Sequence, residues 1–115
     1  VIEIELKKHI SDRTSWQKML KNDIDLSIDI IDLKNHLINQ LSKKNHKFII
    51  EDAEVIDIKY PYLSFPEKIK SINFLKEPKV VEELIAIKGQ YLLFSNNRVV
   101  NIRKHGGFKL SISVA

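Results

Sequence analysis

Cysteine is absent from all 115 residues. That removes a disulfide framework, a thiolate zinc site and a thiol nucleophile. No apolar run approaches the length of a membrane-spanning helix, and no signal peptide is legible, so the expectation is a cytoplasmic protein without a membrane partner. No Walker loop, GxGxxG or GxSxG pattern occurs. The four histidines, His9, His36, His46 and His105, are scattered without metal-ligand spacing, and neither a metal site nor a cofactor site can be read from them. Glycine and proline number three each, so each marks one particular place in the chain. Acidic residues are missing from the whole of residues 88–109. There is no internal repeat and no low-complexity stretch.

The composition is that of an ordinary globular protein. A chain this long is one domain or a piece of one, and it buries about two-thirds of its unfolded surface. It opens on Val1 rather than Met and is read as part of a longer protein. Charge is unevenly spread. Residues 1–58 hold nine Lys/Arg against eleven Asp/Glu, whereas residues 59–115 hold ten against four. The basic second half points to a polyanion or an acidic partner.

The first half reads as helices. In residues 1–10, Ile2, Ile4 and Leu6 fit a strand, while Ile2, Leu6 and Ile10 fit one helical stripe. Helix is preferred, because Glu3 and Lys7 stand four apart in the favourable order. Thr14 with Gln17 resembles a capping box before a short helix at residues 15–21, whose Trp16 is read as a core anchor. A longer helix is expected over residues 28–44. Ile30, Ile31, Leu33, Leu37, Ile38 and Leu41 form its apolar stripe, with acids early and lysines late to match the helix dipole.

The second half reads as strands. Phe48 to Ile50 and Val55 to Lys59 look like strand pieces about an acidic turn at Glu51-Asp52. Pro61 and Pro66 disfavour regular pairing in the next segment, where Tyr60, Tyr62 and Phe65 are expected to wrap the core. Lys68, Lys70, Ser71 and Asn73 read as a polar loop patch. Residues 85–114 read as three antiparallel strands turned at Asn96-Asn97 and Gly106-Gly107. The last would bury Phe108, Leu110, Ile112 and Val114 on one face. The fold class is therefore α+β: two or three helices from about residues 1–45, packed on a small antiparallel sheet or partly closed barrel from about residues 46–115.

Alternation gathers Lys88, Gln90, Asn101, Arg103 and His105 onto one polar, basic sheet face. With Arg13, these are the candidate contacts of a nucleic-acid interface, and Tyr91 or Phe94 would be its stacking platform. The competing reading is a solvated outer face kept soluble by Lys and Arg. No complete active site is legible. Adjacent acids such as Glu82 and Glu83 point to opposite sides of a strand and cannot share one task.

Three segments in order, ISDRTSWQKML, YPYLSFPEKIKSINF and IAIKGQYLLF with VVNIRKHGGFKL, resemble the C-terminal half of an uncharacterised prokaryotic family, domain of unknown function 2797. The resemblance spans nearly the whole chain. It implies a longer protein whose N-terminal half would be this chain's partner. That upstream half is distantly similar to the GIY-YIG nuclease fold, which would make Glu3 the counterpart of its metal-holding glutamate. The tyrosines and arginine needed alongside it would lie upstream. The family pattern has Thr-Gly where this chain has Gly106-Gly107, and glycine where it has Ala86. Three classes of function follow: a nucleic-acid-binding accessory domain, a fragment of a metal-dependent nuclease, and a module that packs on a partner.

Overall fold

A computed structural model describes every residue except Asp12 and Asp52. Helices come first: α1 (Ile2–Leu6), α2 (Trp16–Leu20), α3 (Ile30–Gln40) and a 3-10 helix (Lys43–Phe48). Strands follow: β1 (Lys70–Ser71), β2 (Leu84–Lys88), β3 (Tyr91–Phe94) and β4 (Arg98–Asn101), then a second 3-10 helix (Ile102–His105). The class is α+β. The chain divides into two compact units, one of Val1–Trp16 and Ile24–Asp57, the other of Gln17–Asp23 and Ile58–Ala115.

In the first unit α3 begins where Asp29, in extended backbone, accepts hydrogen bonds from the Ile31 and Asp32 amides at 2.8 and 3.1 Å, satisfying two of the helix's orphan donors. It ends at Gln40, short of the expected residue 44. Leu41 turns extended, and the chain re-enters a 3-10 helix at Lys43. The Glu5 carboxylate fixes this break. It accepts from the Ser42 amide and hydroxyl and from the Asn45 side-chain amide, and Asn45 is buried. These donors, the Ser42 amide first, hold the Glu5 carboxyl below its ordinary range. The apolar stripe of α3 is only partly covered: Leu41 is buried, but Ile30, Ile31 and Leu33 are exposed. The strand pieces expected at 48–50 and 55–59 do not form. The acidic turn between them includes Asp52, outside the described residues.

In the second unit the sheet order is β1-β4-β3-β2. It is open and mixed, not a purely antiparallel sheet or a partly closed barrel, because β1 runs parallel to β4. The expected polar loop patch at Lys70 and Ser71 thus supplies an edge strand. Lys70 N–H donates to Asn97 O, and just beyond the strand Ile72 N–H donates to Val99 O, both at 2.8 Å. The Asn turn forms as expected, with Asn96 and Asn97 at φ of 60° and 63°, a region that asparagine tolerates better than most residues. Residues 85–93, expected as one strand, are instead a hairpin. Lys88 pairs with Tyr91 across Gly89-Gln90, and Gly89 takes φ 58°, as mirror-image hairpin turns require.

The expected final strand, residues 108–114, is unpaired. Asn101 accepts from the Arg103 amide at 3.2 Å and starts the second 3-10 helix, which turns the chain out of the sheet. One edge of β4 is taken by β3 and the other by β1, so no edge of β4 is left for a strand arriving after Gly107. The core comprises Leu20, Ile72, Ala86, Leu93, Val99 and Val100. Val99 and Val100 are adjacent and therefore face opposite sides, so β4 is covered on both faces at that point.

Candidate nucleic-acid interface

The register sets Lys88, Tyr91 and Asn101 side by side across β2, β3 and β4, next to the row Ala86, Leu93 and Val99 on the same face. That second row is buried, so the face is not the open basic surface expected from alternation. Its end row is polar but largely engaged. Lys88 is half-buried and donates to the Met19 carbonyl at 2.8 Å. Its Nζ also lies 5.5 Å from the Phe65 ring centroid and 5.8 Å from that of Tyr60, within cation-π range.

Gln90 donates to Asn101 Oδ1 at 3.0 Å, the same oxygen that caps the second 3-10 helix. His105 spends both ring nitrogens internally. Nδ1 lies 2.9 Å from the Asn101 carbonyl and Nε2 is 3.2 Å from the Phe74 amide. Because that amide can only donate, Nε2 accepts and Nδ1 carries the proton. The ring is also packed between Phe74 and Phe108, with centroids at 4.5 and 5.3 Å. Lys88 and His105 are thus anchors of the fold.

Arg103, with its neighbour Lys104, is exposed on the second 3-10 helix. Among the described residues the ion pairs of this unit are those of Arg98 with Glu77 and with Glu82, which leaves Arg103 and Lys104 without a carboxylate partner. Arg13 belongs to the other unit and is exposed. The structure therefore brings Lys88, Gln90, Asn101, Arg103 and His105 to one end of the sheet and does not include Arg13 in that unit. Counted by unit, the contrast in charge is sharper than by halves. The sheet unit holds twelve Lys/Arg against five Asp/Glu, and the helical unit seven against ten.

Glu3 sits on the five-residue α1 with its carboxylate 3.4 Å from Lys7 Nζ, the ion pair expected from the spacing. Among the described residues no three His, Asp or Glu side chains converge on a common point. Nor is any helix among them long and apolar enough to cross a membrane.

An aromatic cluster escapes the sequence reading. Tyr60 and Tyr62 do not wrap the core; both are exposed, Tyr62 to 59%. The Tyr62 ring stacks on Phe65 with centroids 4.4 Å apart and planes 23° apart. The signal available was Pro61 between two tyrosines: proline keeps the segment at a sheet edge, where rings on the outer side meet solvent.

No curated protein and no solved structure matches this chain. A family model, "Protein of unknown function (DUF2797)", matches residues 1–110, essentially the whole chain. The family read from the three sequence segments is the one matched, but the match runs over essentially the whole chain and does not mark it as a C-terminal half; the chain belongs to the DUF2797 family.

Proposed function

We propose that this chain is a nucleic-acid-binding accessory domain, with Arg103 as the principal phosphate contact, assisted by Lys104, and with Gln90 and Asn101 as polar neighbours. The observation that carries the reading is the pairing of charge with freedom. The sheet unit has seven more basic than acidic side chains, and Arg103 and Lys104 project from it with no carboxylate partner among the described residues. Unpaired cations concentrated on one unit are what a polyphosphate backbone attracts, through release of its condensed counterions. Lys88 and His105, named with them from the sequence, contribute by holding that end of the sheet in shape.

The test is equilibrium binding of fluorescent oligonucleotides at low and at physiological salt. Binding should weaken steeply with salt, and Arg103→Glu with Lys104→Glu should abolish it while leaving the circular dichroism spectrum unchanged. Replacing either residue singly by Ala should lower the salt slope by about one. Binding insensitive to salt, or no binding at low salt, overturns the reading.

A further inference from the structure

We infer that the segment Tyr60-Pro61-Tyr62 is a stacking platform for an unpaired base, so that the nucleic acid bound is single-stranded; this rests on the nucleic-acid reading above. The segment is fixed to the sheet. Pro61 O accepts from the Ile87 amide at 3.0 Å, and the Leu63 amide donates to Ile85 O at 2.7 Å, so Tyr62 faces Ala86 as a short antiparallel bridge along the outer edge of β2. A ring on a loop would have to be ordered upon binding; this one is already held by backbone pairing.

The ring itself is braced from one side. Phe65, half-buried and followed by buried Pro66, packs against one face of Tyr62. With that face covered and 59% of the residue still exposed, the other face is the open one. Lys88 Nζ lies against both the Phe65 and Tyr60 rings, fastened below by the Met19 carbonyl, so the aromatic group is tied to the sheet through a half-buried cation. Single exposed aromatics are common on protein surfaces and need no explanation. Two tyrosines beside a proline, one stacked on a supported phenylalanine and both on a net-basic unit, form a prepared surface. Lys59, exposed and next to Tyr60 in sequence, adds a positive charge beside the segment for a phosphate of the bound strand.

A duplex offers its phosphates to such a surface but keeps its base faces stacked inside the helix; a single strand offers both. The ligand class is therefore single-stranded DNA or RNA, recognised by stacking and charge with little dependence on sequence.

The experiment compares binding of the full chain to a fluorescent single strand and to the duplex of the same sequence at low salt, for the wild type and for Tyr62→Ala, Tyr62→Phe and Tyr62→Leu. The expected result is preference for the single strand by about tenfold, an Ala variant weakened by about tenfold on the single strand with the wild-type salt slope, and a Phe variant close to wild type. The Leu variant, which keeps bulk and removes the π face, should behave as Ala does; it decides the matter even if Ala loosens the edge. Equal binding of single strand and duplex, with Phe and Leu variants alike, overturns the platform and leaves the basic-surface reading standing. Absence of binding to either form at low salt overturns both.

Discussion

The two units of this chain are held together by different means. Among the described residues, buried Leu20, Pro66, Ile72, Ala86, Leu93, Val99 and Val100 lie in the sheet unit, and of the buried apolar residues Leu41 alone lies in the helical unit. The sheet unit is held by non-local backbone pairing around buried apolar side chains. The helical unit depends on side chains that satisfy backbone groups: Asp29 at the start of α3, Glu5 at Ser42, and Lys34, whose Nζ donates to the Ile50 carbonyl at 2.7 Å. It also leaves an apolar groove of about 340 Å³ open between α1 and α3, lined by Ile2, Leu6, Leu33, Leu37, Ile38 and Ile49 among others. The net-negative unit is thus built from polar fastenings and the net-positive unit from burial, so the two should respond differently to the same chemical insult.

The largest expected effect is on the core. Leu93 is fully buried in the central part of the sheet, and Leu93→Ala should cost about 3 kcal/mol of unfolding free energy, lost transfer plus cavity. Leu37→Ala, on a half-buried position of α3 beside an open groove, should cost about 1 kcal/mol, because less surface is re-exposed and no closed void is left. Urea denaturation followed by circular dichroism measures both. Equal losses would erase the contrast by showing that the helical unit has a core as tight as that of the sheet.

Next come the fastenings. Asn97 sits at φ 63°, and its Oδ1 accepts from the Glu67 and Lys68 amides at 3.1 and 3.3 Å. Asn97→Ala removes both bonds and puts a poorly suited residue in the left-handed region, at a cost of about 2 kcal/mol. Asp29→Ala removes a helix cap of the usual kind, at about 1 kcal/mol. Hydrogen exchange should locate the first loss in the β1 and β4 amides and the second in the first turn of α3. Asp29 exceeding Asn97 would reverse the ranking of local and non-local ties.

The same contrast governs what the sequence makes legible. Asn96-Asn97, the apolar Val99-Val100 pair of β4 and the helical stripe of α3 are local signals, and they mark real elements. The Gly89-Gln90 hairpin is hidden because Tyr91-Leu92-Leu93-Phe94 is continuously apolar and reads the same in either parity. A two-residue turn reverses the parity, so Lys88 falls on the face of Tyr91 and not opposite it. Residues 108–114 alternate cleanly, yet alternation records only which side chains share a face; pairing also needs a free edge, and β4 has none. The candidate site divides in the same way. Arg103 was legible from charge, whereas the internal engagement of Lys88 by Met19, Tyr60 and Phe65 joins residues far apart in sequence.

The smallest effect is the most selective test of the polar fastenings. Glu5 is drawn below the usual carboxylate value of 4.5, first by the Ser42 amide, then by Asn45 and the Ser42 hydroxyl. A carboxyl whose folded value is depressed contributes stability that is present in full above its unfolded value. That contribution is lost as pH falls through the folded value, because the proton binds more readily to the unfolded chain. The break between α3 and its 3-10 continuation should therefore loosen below about pH 4.5, seen as faster exchange of the Ser42 and Asn45 amides relative to those of β3 and β4. Glu5→Gln keeps the shape, still offers one acceptor and cannot titrate, so its exchange ratio should stay flat over the same range. If wild type and Gln variant change together, the acid response comes from elsewhere in the unit and the Glu5 clamp is not what fixes the end of α3. If the wild type alone changes, a single carboxylate holds α1, Ser42 and Asn45 together in a unit that has little buried apolar surface to do so.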